Sequence, residues 1–130
     1  MTGEVNTAGE AVVHLKVRNS SGGREVVEAV VDTGFTGFLT LPQAVVGSLS
    51  LPLLGSTPAT LADGTTAALE VCEALVVWQG RQRPVECLVT GGAPLLGMAL
   101  LRGSELRIRV ITGGDVWIEE IPFREGGGGP

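Results

Sequence analysis

Tyrosine is absent from this chain and histidine nearly so. Among 130 residues there is one histidine, His14, and there are two cysteines, Cys72 and Cys87. A metal site built on imidazoles, or a serine or cysteine nucleophile activated by histidine, would rest on His14 alone. Positive charge is also scarce: Lys and Arg number 9 against 14 Asp and Glu, a net charge of −5. Without a basic run the chain lacks the electrostatic footprint of a nucleic-acid binder, and no nucleic-acid partner is expected. No apolar run reaches the ~18 residues that span a bilayer, so no membrane partner is expected either. Met1 to Glu10 is polar and lacks the basic start and apolar core of a secretion signal. The expectation is a cytoplasmic protein whose two thiols are reduced.

What is abundant is apolar and turn-forming. Hydrophobic residues make up 44% and charged residues 18%, enough for a core, and 20 Gly with 7 Pro favour many turns over long helices. The length suits one domain. Residues 1–10 read as a flexible leader and residues 124–130, in the Gly-rich EGGGGP end, as a disordered tail. Between them, Glu10 to Arg18 and Glu25 to Val31 read as strands joined across the turn-forming Asn19 to Gly23. Phe38 to Leu41 is a short strand, and Pro42 opens a short helix over PQAVVGSL. Thr57 to Leu61 and Thr65 to Val71 flank Ala62-Asp63-Gly64, a hairpin signal, and the second arm runs on to Trp78. A two-residue turn at Gln79-Gly80, with Pro84 to Thr90 returning, would set Cys72 opposite Cys87; a four-residue turn would shift that register. Met98 to Leu101 suits a helical turn. Leu106 to Ile111 and Val116 to Ile121 form a last hairpin. About eight short strands with one or two short helices make an all-β, barrel-like domain over residues 11–123.

Three aspartates are the scarce acids. Asp63 and Asp115 sit beside glycine in hairpin turns and need no further role. Asp32 ends a Val-rich strand and begins a loop whose Gly34 and Gly37 permit unusual backbone angles. A carboxylate there is either tied up in an Asx-type turn or put to use. His14 reads as a surface or half-buried strand residue, the cysteines as small packed hydrophobes, and Glu119-Glu120 as solvated. Nothing marks a metal site or a cofactor.

Ala29-Val30-Val31-Asp32-Thr33-Gly34-Phe35-Thr36-Gly37 resembles the catalytic loop of retropepsin-like aspartic proteases, closest to the small bacterial and archaeal members with Asp-Thr-Gly-Phe-Ser/Thr-Gly. Leu95-Leu96-Gly97-Met98 is similar to that family's second signature, two apolar residues and a glycine before a short helix. The hairpin around Ala62 falls where the family carries its flap. The resemblance implies a single-lobe, closed β-barrel and an aspartic endopeptidase without a cofactor. It implies that Asp32, Thr33 and Gly34 are catalytic, with Thr33 bonding across a dimer axis. It places Phe35, Leu96, Gly97 and the flap-tip residues Ala62, Asp63 and Gly64 around a peptide or protein substrate, with Gly97 packed under the loop. Phe35 stands where viral members carry Ala, so its ring should narrow one side of the cleft, and the flap tip lacks their glycine-rich run.

One Asp-Thr-Gly per chain implies a homodimer whose site takes one Asp32 from each copy. Leu106 to Ile111 or Val116 to Ile121 would supply the dimer sheet. The alternatives are a non-catalytic peptide-binding or regulatory module on the same fold, or an unrelated β domain in which Asp32 only forms a turn.

Overall fold

The computed structural model describes residues 1–60 and 63–122. Alternation in β2 (Ala11–Arg18) sends Ala11, Val13, Leu15 and Val17 to the interior and His14 and Lys16 to solvent. His14 lies exposed, 3.4 Å from the Glu28 carboxylate across the sheet. The chain turns at Asn19, whose Oδ1 accepts the N–H groups of Ser21 and Gly23 at 3.0 and 2.6 Å. The same side chain donates to the Leu49 carbonyl at 2.7 Å, tying the turn to the end of the first helix. β3 (Arg24–Val31) returns beside β2. β4 (Leu39–Pro42) leads into α1 (Gln43–Ser48), which buries Val45 and Val46; Pro42 is the extended residue before the helix rather than part of its first turn.

β5 (Leu53–Thr60) and β6 (Thr66–Trp78) form a long hairpin, and β7 (Arg81–Thr90) follows across Gln79 and Gly80. Both turn residues have positive φ, 51° and 80°, as a two-residue hairpin turn of the matching twist requires. β8 (Leu95–Leu96), α2 (Met98–Leu101), β9 (Ser104–Ile108) and β10 (Asp115–Glu120) complete the chain, with β1 (Thr2–Val5) at its start. The strands run β5-β6-β7-β4-β8-β3-β2-β1-β10-β9. β2 gives its Ala11–Val13 end to β1 and its Val17–Arg18 end to β6. That second pairing closes β6-β7-β4-β8-β3-β2 into a ring, filled by side chains such as Leu15, Leu39, Leu41, Leu96 and Leu100. The architecture is all-β with two short helices. Neither helix is long and apolar enough to cross a membrane.

Residues 1–10 are not the flexible leader expected from their polarity. Thr2–Val5 is a strand between β2 and β10, and the Met1 amine donates to the Ile118 carbonyl at 3.0 Å. Gly3 and Val5 hold the inward positions, and a glycine there masks the apolar alternation. A Cβ on Gly3 would lie 2.0 Å from the Val12 carbonyl oxygen, so only glycine lets β1 seat. The last hairpin is also shifted: β9 starts at Ser104 and ends at Ile108, leaving Val110 and Ile111 exposed in its loop. β10 is paired on both sides, whereas β9 keeps one unpaired edge among the described residues. The tail expected at 124–130 lies outside the described residues.

β6 changes face along its length. Ala67, Leu69 and Val71 are the half-buried positions in its first half, and Cys72, Ala74, Val76 and Trp78 are the buried ones in its second. The register against β5 slips between Leu53 and Gly55, where Gly55 has φ +141°. This bulge lets one strand serve both a projecting hairpin and the ring. Cys72 and Cys87 face each other in register, both free and fully buried. Hydrogen bonding to Cys72, then burial, pushes the Cys87 thiol far above its ordinary range. The same hydrogen bond lowers the Cys72 thiol, so protection of the pair rests on burial: with both side chains fully buried, a thiol reagent at neutral pH should leave both cysteines unlabelled in the native protein. Both should label once denaturant unfolds it; mass spectrometry showing prompt labelling of either in the native state would contradict this packing.

Candidate functional site

The loop after β3 is held from both ends by backbone bonds. The Asp32 N–H donates to the Leu96 carbonyl at 2.9 Å, continuing the parallel β3–β8 pairing one residue beyond Val31. The Phe35 N–H donates back to the Asp32 carbonyl at 3.1 Å and closes a tight turn. The Asp32 side chain, half-buried, accepts the Gly34 N–H on Oδ1 at 2.9 Å, and Oδ2 takes no hydrogen bond from any described residue. One carboxylate oxygen is thus fixed by the loop's own backbone and the other has no partner among the described residues.

The far side of the loop is clamped by the start of α2. The N–H groups of Gly97, Met98 and Ala99 donate to the carbonyls of Phe38, Phe35 and Gly37 at 3.0, 2.8 and 3.1 Å. A helix leaves its first N–H groups without partners inside the helix, and here the loop supplies them. The approach is close: a Cβ on Gly97 would lie 2.2 Å from the Gly37 oxygen and 2.5 Å from the Phe35 ring. A Cβ on Gly37 would meet the same ring at 2.6 Å. Thr40 adds a further tie. It is 4% exposed, and its hydroxyl accepts the Leu95 N–H at 2.8 Å, which fixes β8 against β4.

Asp32, Thr33 and Gly34 therefore sit together on one turn. The Phe35 ring packs over Gly37 and Gly97 and, with Leu39, Thr57, Val71 and Leu88, lines a cavity of about 190 Å³ between the loop and the β5–β6 hairpin. Leu96 and Gly97, expected among the substrate contacts, present no exposed surface in this chain. Leu96 is fully buried between β3 and β4, and Gly97 is buried under Phe35, so both form the floor of the loop. Of the hairpin tip, Ala62 lies outside the described residues. Asp63 and Gly64 are exposed; Gly64 has φ +86°, and Asp63 Oδ1 accepts both the hydroxyl and the N–H of Thr65, at 2.6 and 2.9 Å. Those bonds, the hydroxyl's first, hold the Asp63 carboxyl below its usual value. Among the described residues no three His, Cys, Asp or Glu side chains gather as metal ligands would.

Several lining residues were not singled out from the sequence. Thr57 and Ala59 pair with Leu69 and Ala67 across the hairpin, on its half-buried face, and the period-two alternation of both arms carried that signal. Thr33 and Thr36 border a second, larger trough of about 750 Å³ with Phe38 before β4, Arg83 of β7, Met98 of α2 and Leu106 of β9. No local pattern marks that trough, because it joins segments distant in the chain.

No family model and no curated protein matches this chain. Solved structures do. The protease of EIAV, in complex with the inhibitor HBY-793, superposes with a TM-score of 0.60 at 16% identity, covering 75% of this chain and 89% of that one. A retropepsin-like aspartic protease from Rickettsia conorii superposes with a TM-score of 0.56 at 20% identity, covering 89% and 87%. The fold is thus that of the retropepsin-like aspartic proteases, over most of the chain.

Substituting Gly97 by alanine should destabilise the protein by about 3 kcal/mol, since its Cβ meets the backbone oxygens of Gly37 and Phe35 as well as the Phe35 ring. Gly91→Ala, with nothing within 4 Å of the added Cβ, should change stability by no more than ~0.5 kcal/mol. Denaturant melts of the two variants check the contrast.

Proposed function

We propose that this protein is an aspartic endopeptidase that works as a homodimer, with one Asp32 from each copy. The observation that carries this reading is the Asp32 turn: one carboxylate oxygen fixed by Gly34 N–H, the other without a partner among the described residues, on a loop locked to β8 and α2 within a retropepsin-like fold. One turn supplies one carboxylate, and peptide hydrolysis of this kind needs two facing a single water. A second copy brings the other by two-fold symmetry. The unpaired edge of β9 and the trough bordered by Thr33, Met98 and Leu106 are the surfaces for that copy, and Met98 is already 47% exposed. Of the two terminal strands, β9 is the one with an edge to give.

In the assembled site two carboxylates at close range share one proton and titrate as a pair. The ionised member takes a proton from water as its oxygen attacks the scissile carbonyl carbon. The protonated member donates to the carbonyl oxygen, giving a tetrahedral diol. Collapse of the diol breaks the C–N bond as a proton passes to the leaving amine. Gly34 N–H holds each carboxylate in the plane of its turn. The substrate lies extended between loop and hairpin, bonding through its main chain, with one side chain in the Phe35–Val71 cavity.

The test is a digest of a diverse peptide pool at several pH values beside Asp32→Asn, which is isosteric and leaves the Gly34 bond an acceptor. Cleavage should fall by at least about 10²–10⁴-fold in the variant, with its melt unchanged. Equal cleavage by both would refute the assignment. Tight peptide binding by a folded dimer that never cuts would move the protein to the non-catalytic, peptide-binding reading.

A further inference from the structure

On the flank of the ring, away from the Phe35 cavity, β7 and the α2–β9 junction enclose a groove of about 430 Å³. Trp78, Gln79, Arg81, Arg83, Arg102 and Glu120 are among its walls. Three of the chain's nine cationic side chains converge there, although the protein carries a net charge of −5. Gathering like charges is unfavourable unless a negative partner offsets it.

We propose that this groove docks an acidic segment of another protein. The molecule itself shows that it holds carboxylates: Arg81 binds Glu120 at 2.9 Å. Among the described residues, Arg83 and Arg102 have no carboxylate within ion-pair distance. Arg83 is nonetheless pre-set, its guanidinium 5.4 Å over the centre of the Phe38 ring. The remaining wall is also oriented. Gln79 donates to the Ser104 hydroxyl at 2.9 Å, and Gln82 accepts from Arg18 at 3.4 Å. Planar guanidinium forks match carboxylates in geometry as well as charge.

A polynucleotide fits less well. Trp78 is 5% exposed, so its ring offers no face for a base to stack on. Arg83, Arg102 and Gly103 also border the trough proposed above for the second copy, so the docked segment would lie at the margin of that interface. An acidic segment seated here would lie on the same flank as the catalytic loop and outside the cleft, a docking site separate from the one that reads the cleaved sequence.

The test uses the full chain carrying Asp32→Asn, so that any peptide stays intact and the outcome does not depend on the peptidase reading. Fluorescence anisotropy with a labelled Glu-rich peptide should show saturable binding that weakens with salt. A Gln-rich peptide of equal length should not bind. Arg83→Gln/Arg102→Gln should weaken binding by about fivefold or more, while Arg83→Lys/Arg102→Lys, which keeps the charge, should retain most of it. Thermal melts confirm that both variants fold. No saturable binding, equal affinity in the Gln variant, equal binding of the Gln-rich peptide, or tighter binding of an oligothymidylate of equal charge would each overturn the proposal.

Discussion

Three backbone hydrogen bonds, from Gly97, Met98 and Ala99 to the carbonyls of Phe38, Phe35 and Gly37, hold this molecule's site together. They satisfy the first N–H groups of α2 and fix the loop that carries Asp32 in one step. They also dictate the local sequence. The two segments approach closely enough that Gly37 and Gly97 admit no Cβ, and the Phe35 ring fills the space left over both. β8 is two residues long yet pairs with β3 on one side and β4 on the other, and buried Thr40 supplies its remaining acceptor. A loop positioned this way cannot shift without breaking bonds on both sides. Such rigidity is what a carboxylate needs if it is to meet a symmetry-related partner at short range.

The same economy shapes the rest of the chain. β6 is one strand with two duties, its first half forming the underside of the hairpin and its second half a wall of the ring, with the bulge at Gly55 marking the change. The cleft is therefore roofed and floored by residues whose other faces belong to the core. The sheet closes around a packed interior and leaves β9 with a free edge beside the Asp32 flank. An edge of that kind is a template for pairing, and in the proposed dimer it is where a second copy would add its strand and complete the site. The arginine groove shares Arg83, Arg102 and Gly103 with that trough, so the two proposed contacts adjoin.

Much of this was legible in the residues. The alternation in Ala11–Arg18, the Asn19–Gly23 turn, the Gln79-Gly80 hairpin and the short α2 all follow from local pattern, while the structure chose, of the two turn lengths left open, the one that sets Cys72 against Cys87. Asp32 stood out because a carboxylate at the end of a Val-rich strand has few uses, and its fold came from resemblance to known loops rather than from periodicity. Other features were hidden for physical reasons. β1 was concealed by Gly3, an inward position with no side chain to reveal it. Leu96 and Gly97 were expected among substrate contacts, but the backbone bonds of α2 draw them under the loop. The end of β9 was misplaced because apolar Val110 and Ile111 continue the strand pattern into a loop closed by backbone bonds at Arg109 and Gly114. The troughs that collect Met98, Arg83 and Leu106 join distant segments, and no window of sequence contains them.

The central claim is that the working site belongs to two chains, and subunit mixing tests it most directly. Unmodified chains are held at fixed concentration and equilibrated with a ninefold excess of the Asp32→Asn chain before peptide cleavage is measured. If each site needs one Asp32 from each copy, random pairing leaves only about a tenth of the unmodified chains with an unmodified partner, and activity per unmodified chain should fall by about tenfold. Activity per unmodified chain that stays constant across the whole mixing range would mean that each chain carries a complete site of its own, and the two-chain account would be wrong.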